Sequence, residues 1–249
     1  GDVYKRQLKE YGNTYKLDRT TQKAKIQKLG WVRVRGFDNI PENVEFANAK
    51  LIKKPDGYYL KITTYQDKKN TPQREYVAGS VIGIDFGLST SITTSEGDKL
   101  ELYVEETDRL KGLKKKRSRQ VKGSNNYKKT CNLIKKEYQR LDNKKQDLAY
   151  KIVSDFSHYE HVFFQDEMIS NWKKRDGYVR AGKKIQKGIL GRVKALLRTK
   201  EWVTMLSRGD ATTQTCVCGA KNKHQLDERI YFCSQCGYSD DRNIHAAKN

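Results

Sequence analysis

Ser80-Val81-Ile82-Gly83-Ile84-Asp85-Phe86-Gly87 is the stretch on which the fold turns. An apolar run that ends on an acid reads as a buried strand delivering a carboxylate to its tip, and Gly87 leaves room for a backbone or a phosphate to come close. A second stretch repeats the pattern, since His161-Val162-Phe163-Phe164-Gln165 leads into Asp166-Glu167. A third acid, in Asp240-Asp241-Arg242-Asn243-Ile244-His245-Ala246-Ala247, opens a short helix whose small Ala246-Ala247 face suits close packing on a sheet.

Between these stretches the pattern changes. Ser89 to Thr94 and Leu100 to Val104, around Gly97-Asp98, continue as a β-meander. Arg109 to Thr130 holds ten Lys or Arg and no acid, with Gly123-Ser124-Asn125-Asn126 inside it, and reads as a solvated helix-hairpin tip. Ile134, Tyr138, Leu141, Leu148, Ile152 and Phe156 recur close to a helical period, which predicts a long amphipathic helix. In the basic segment Lys173 to Lys200, Ile185, Ile189, Val193, Leu196 and Leu197 form one helical face, and Trp202 to Leu206 reads as one more strand. Strand, hairpin, helix, strand, helix and acidic helix in that order suggest an α/β, ribonuclease H-like core.

Upstream, Trp31 to Val34, Val44 to Phe46, Ala49 to Ile52 and Tyr58 to Tyr65 alternate as short strands of a small antiparallel module that begins near Lys23. Pro55-Asp56-Gly57 turns the last two into a hairpin, and Asn70 to Gly79 reads as a connector. The chain opens on Gly1-Asp2-Val3-Tyr4-Lys5-Arg6-Gln7 without a Met, which reads as a junction outside the native frame of a truncated reading frame.

Composition narrows the function. In 249 residues, 51 Lys and Arg oppose 30 Asp and Glu, a formal charge of +21 that points to a polyanion partner. The 36% of hydrophobic residues suffices for one domain core and a small appendage, which argues against a disordered basic tail. No run reaches the roughly 18 apolar residues of a membrane helix, and no secretory leader opens the sequence. The expected setting is cytoplasmic, with no membrane partner.

Four of the five cysteines form two knuckles, Cys216-Val217-Cys218-Gly219 and Cys233-Ser234-Gln235-Cys236-Gly237, separated by 14 residues. Four thiolates so spaced suit a closed tetrahedral Zn²⁺ site, which leaves no open position for catalysis. The first knuckle is C-x-C rather than C-x-x-C, and three consequences stay open: a weaker site, His224 as a replacement ligand, or a one-residue error in the sequence. Cys131 reads as a packing or surface residue of the long helix.

Hydrolysis of a phosphodiester with divalent cations needs carboxylates from several elements, because two cations about 4 Å apart hold the attacking and leaving oxygens. Asp85, Glu167 and Asp241 are the candidates, although an acid at a strand end is also an ordinary turn or helix cap. A rival exists for Asp85, since Gly83 to Thr90 resembles the first phosphate loop of the sugar-kinase, heat-shock ATPase and actin superfamily. The further Gly-rich loops that superfamily needs are not found.

Val81 to Gly87, Gln165-Asp166-Glu167-Met168-Ile169-Ser170-Asn171-Trp172, Ile189-Leu190-Gly191-Arg192-Val193, the Thr215 to Tyr238 cysteine region and Asp241 to Asn249 together resemble the transposon-encoded TnpB nucleases and the compact type V CRISPR effectors. The resemblance implies a RuvC nuclease domain interrupted by a zinc ribbon, with residues 8–79 the last part of a β-rich wedge domain. It further implies 80–209 as the first RuvC part, 210–238 as the zinc-ribbon insert with Cys216, Cys218, Cys233 and Cys236 on Zn²⁺, and 239–249 as the final helix. Asp85, Glu167 and Asp241 would be the Mg²⁺-binding catalytic triad of an RNA-guided DNA endonuclease with guide RNA and target DNA as partners. Lys114, Lys115, Lys116, Arg117, Arg119, Lys122, Arg192 and Arg242 are the expected nucleic-acid contacts, and Trp172 could stack on a base or pack in the core. Most of the wedge and the recognition domain would lie upstream.

The family's Asp-Arg-Asp is Asp241-Arg242-Asn243 here, and Asp240 offers another register. Adjacent Asp166 and Glu167 face opposite sides of a strand, so one of them at most reaches the cations; the resemblance favours Glu167. The alternatives are a nuclease-silent RNA-guided binder and a transposase accessory protein.

Overall fold

The computed structural model describes residues 5–169, 181–223 and 228–249. The chain divides into two compact units, residues 1–73 with 112–139 and residues 74–111 with 140–249.

The first unit is built on two three-stranded antiparallel sheets. One runs in the order β1 (Lys5–Leu8), β5 (Glu45–Lys54), β6 (Gly57–Tyr65); the other comprises β2 (Tyr15–Asp18), β3 (Lys23–Ile26) and β4 (Gly30–Arg33). Leu8, Tyr15, Ile26, Ala49 and Leu51 form the core, and the buried Tyr15 donates its hydroxyl to the Ala47 carbonyl at 2.9 Å, so its polar end is satisfied. Three expectations change here. Lys5 to Leu8 pair with Ile52 to Ala49, a strand upstream of the expected start of the module. The strand at Tyr15–Asp18 lies upstream of the expected start of the module, because its alternation is only four residues long. The two expected strands at 44–52 are one, with a register irregularity between Phe46 and Ala49 that interrupts the alternation. The β5–β6 turn is the two-residue loop Pro55-Asp56, closed by the Lys54 and Gly57 pair.

The second unit holds a five-stranded mixed sheet in the order β11-β10-β7-β8-β9, with β7 Val77–Phe86, β8 Ile92–Thr94, β9 Lys99–Leu100, β10 Tyr159–Gln165 and β11 Val203–Leu206. β7, β8 and β9 form an antiparallel meander, while β10 and β11 run parallel to β7. The α/β class therefore holds. Ile82, Ile84 and Phe86 of β7 are buried with Val162 and Phe164 of β10, and Phe86 meets Phe164 edge to face at 5.4 Å. Period two leaves Gly83 and Asp85 on the opposite face. There α5 (Arg242–Lys248) lies so close that a Cβ on Gly83 would sit 1.7 Å from the Ala247 carbonyl oxygen.

The basic hairpin is α1 (Asp108–Ser118) and α2 (Asn125–Phe156), and the division between the units crosses both helices. The buried side of α2 runs through Thr130, Ile134, Glu137, Leu141, Ala149, Ile152, Val153 and Phe156. Tyr138 is exposed, so the apolar stripe includes two polar residues that hydropathy alone excludes. The single helical face expected from Ile185 to Leu197 is two helices, α3 (Ala181–Lys187) and α4 (Leu190–Leu197). The chain breaks at Gly188 and Ile189 because Gly188 bridges to Tyr103 and the Ile189 amide donates to the Leu102 carbonyl. A final hairpin, β12 (Ile230–Phe232) with β13 (Ser239–Asp241), carries the second cysteine knuckle between its strands. Trp172 and His224 lie outside the described residues.

Candidate functional site

Asp85, Glu167 and Asp241 line one cavity of about 460 Å³, together with Lys99, Arg229 and Arg242. Each acid arrives from a different element: the end of β7, the residue pair after β10, and the junction of β13 with α5. Asp85 is pushed up to about 7 by burial and by the nearby Glu167 and Asp241 charges, against an opposing pull from Arg242. Crowded, partly desolvated carboxylates of this kind suit hard, oxygen-seeking divalent cations. Among the described residues only the cysteines form a group with every ligand atom within 4.8 Å, so the carboxylates spread more widely than one small ion requires.

The adjacent acids divide by side. Asp166 is bonded to Lys194 at 2.7 Å and Arg208 at 2.8 Å, and these partners hold its carboxyl below the ordinary range. Glu167 lines the cavity instead, and its carbonyl oxygen accepts a bond from the Lys194 ammonium. Asp240 and Asp241 separate likewise. Asp240 accepts from Lys248 and from the Tyr238 hydroxyl, both at 2.7 Å. Asp241 faces the cavity and caps α5 through Oδ1, which accepts from the Asn243 and Ile244 amides at 2.9 and 3.3 Å. Burial raises Asp241, but Lys99 and the two cap amides outweigh it and hold the group low.

Gly87 admits the close approach of a backbone. A Cβ there would lie 2.7 Å from the Thr90 carbonyl, so the close approach is made by the chain's own turn. That turn folds Leu88 to Thr90 into the cavity wall.

The four cysteine sulfurs converge, with Cys216 Sγ 3.6 Å from Cys236 Sγ and Cys218 Sγ 3.7 Å from Cys233 Sγ. A tetrahedron with metal–sulfur bonds of about 2.3 Å needs sulfurs about 3.8 Å apart, so the donor set fits a zinc-type ion. Gly219 and Gly237 adopt φ of 86° and 74°, which permits both knuckles to close, the short C-x-C one included. Cys131 is not in this group.

The expected nucleic-acid contacts have different surroundings. Lys114 lies over the Tyr138 ring at 5.2 Å. Lys115, Lys116, Arg119 and Lys122 are exposed, and Arg117 is half-buried. Arg192 is engaged inside its unit, paired to Asp142 and donating to Gln146 Oε1 at 3.0 Å, which ties α4 to α2. Arg242 lines the acid cavity. Lys99, Lys194 and Arg208 were not singled out from the sequence, because single cations among 51 carry no local signal.

Residues 193–249 match the family model described as the Cas12f1-like TNB domain. Over that segment the chain is similar to Cas12f1-like proteins. It is 25% identical over 261 residues to "Putative RNA-guided DNA endonuclease InsQ" of Escherichia coli (strain K12), an alignment covering 96% of this chain and 64% of that protein. It is 27% identical over 181 residues to a protein of Streptomyces pristinaespiralis with the same description but no gene designation, covering 68% and 44%. The chain thus spans less than two thirds of the length of either relative. The Cas12f1–sgRNA–target DNA complex aligns with a TM-score of 0.45 at 14% identity, over 82% of this chain and 45% of that one. No helix among the described residues is long and apolar enough to cross a membrane.

Proposed function

We propose that this chain carries the nuclease part of an RNA-guided DNA endonuclease. The observation that carries this reading is the meeting of Asp85, Glu167 and Asp241, far apart in sequence, in one cavity. The strand order β9-β8-β7-β10-β11, an antiparallel meander followed by two parallel strands, supports a ribonuclease H-like RuvC core. The hairpin with the cysteine cluster is its zinc ribbon, inserted before α5, and residues 8–79 are the end of a β-rich wedge.

Asp85, Glu167 and Asp241 would hold two Mg²⁺ ions, and Cys216, Cys218, Cys233 and Cys236 one Zn²⁺. Bound Mg²⁺ would supply activation of the attacking water and stabilisation of the leaving oxygen. The protein's own part is to hold three carboxylates from separate elements on one side of a sheet and to guide a phosphate chain toward them. The +21 charge and the Lys114 to Lys122 cluster support binding of guide RNA and target DNA, with steep salt dependence. In the first unit, a cavity of about 1080 Å³ lined by Arg6, Arg33, Arg35, Lys53, Tyr58 and Tyr59 has the mixture of cations and rings that suits nucleic acid.

The test is plasmid cleavage by the full reading frame co-purified with its flanking RNA, in Mg²⁺ or EDTA, for wild type and Glu167→Gln. Guide-directed cuts that vanish with EDTA and with the substitution are expected. Guided binding without cuts would replace this reading with a nuclease-silent binder, and activity without RNA would overturn the guided function.

A further inference from the structure

Pairing register sets Asp85, Thr93 and Lys99 in one row across three neighbouring strands, since Asp85 lies opposite Thr93 and Thr93 opposite Lys99. Residues directly opposite each other in antiparallel strands share a face of the sheet. Lys99 therefore stands on the same face as Asp85, two strands away, with Thr93 buried between them. Asp241, capping α5 on that face, lies in the same cavity as both.

Asp241 has two oxygens with separate work. Oδ1 is taken by the helix-cap amides, and Oδ2 lies 2.7 Å from Lys99 Nζ. An oxygen held by two backbone amides is fixed by the fold, so Oδ2 is the atom through which Asp241 can ligate. We propose that Lys99 is a positioning residue of the acid cavity, and that its ammonium competes with a divalent cation for Asp241 Oδ2. This rests on the divalent-cation reading given above.

The competition has a definite direction. The ammonium keeps Oδ2 oriented and neutralises one of three crowded negative charges. A divalent cation in the cavity gains from more than one carboxylate, whereas the ammonium is bonded only at Asp241 in this set. The lysine is the weaker competitor and yields, and its side chain is 45% exposed, so the released ammonium has solvent to enter.

The test uses the whole chain, freed of divalent ions and titrated with Mn²⁺ by electron paramagnetic resonance. Lys99→Met should bind Mn²⁺ about two- to fivefold tighter than wild type, the range expected for removing one partly exposed ion pair, and Lys99→Arg should match wild type. In parallel, reductive methylation followed by mass spectrometry should label Lys99 several-fold faster with Mg²⁺ than without. Labelling that is unchanged or slowed by Mg²⁺, or Mn²⁺ binding by Lys99→Met no tighter than wild type, would overturn the proposal. Mn²⁺ binding by Asp85→Asn equal to wild type would overturn the underlying cation reading, a failure distinct from that of Lys99.

Discussion

Gly83 and Ala247 meet backbone to backbone: a side chain on the glycine would begin 1.7 Å from the Ala247 carbonyl oxygen. This contact seats α5 on β7 and, with it, Asp241 at the helix start. Gly83→Ala cannot be absorbed by a rotamer change, because the obstructing atom is main chain. We expect a loss of about 2–4 kcal/mol and faster hydrogen exchange in 242–248. A melting temperature within a degree of wild type would show that α5 moves freely on the sheet.

Asp85 makes stability depend on pH in an unusual sense. Its folded value of about 7 lies above the ordinary 3.8, so the folded chain holds a proton that the unfolded chain releases. The contribution is full below about pH 4 and is lost as pH rises to about 7, on the order of a few kcal/mol. In divalent-free buffer, Asp85→Asn should lack this decline and exceed wild type in stability above pH 7. Urea denaturation at pH 5 and 8 checks this, and parallel profiles for the two proteins would refute it.

Asp166 and Glu167 should give opposite phenotypes. Asp166→Asn weakens the bonds to Lys194 and Arg208, and should lower the melting temperature while leaving Mn²⁺ affinity within about threefold. Glu167→Gln should leave the fold intact and weaken Mn²⁺ binding at least about tenfold. Calorimetric titration of both variants tests the division.

Asp241 combines a cap with a candidate ligand, and two substitutions separate them. Asp241→Asn retains an oxygen for the Asn243 and Ile244 amides, so stability should hold while divalent binding falls. Asp241→Ala should lose both, with about 1 kcal/mol more destabilisation than the Asn variant. Equal melting temperatures would mean that the cap contributes nothing.

The cysteine cluster should bring one Zn²⁺ per chain through purification. Cys216→Ser or prolonged chelation should fray the β12–β13 hairpin and lower the melting temperature by about 10 °C. Because Tyr231 of β12 stacks on His245 of α5 at 3.5 Å, the loss should spread to α5. Elemental analysis with far-ultraviolet melts checks both, and a zinc-free, fully stable chain would contradict the site.

The sequence alone determined the strands that end on acids, the long basic helix hairpin and the cysteine knuckles, because each depends on residues close together in the chain. Alternation, helical period and knuckle spacing are local signals. It left open which member of each acid pair enters the cavity, since Asp166 and Glu167 are chemically near-equivalent neighbours. Tertiary structure separated them by supplying Lys194 and Arg208 to one and the cavity to the other. The break at Gly188 and Ile189 was hidden for the same reason, as its cause is pairing with residues 102 and 103. Lys99 was indistinguishable from any other lysine until strand register placed it in a row with Asp85 and α5 brought Asp241 to it. Contacts of that kind span 142 residues of chain, and only a folded sheet creates them.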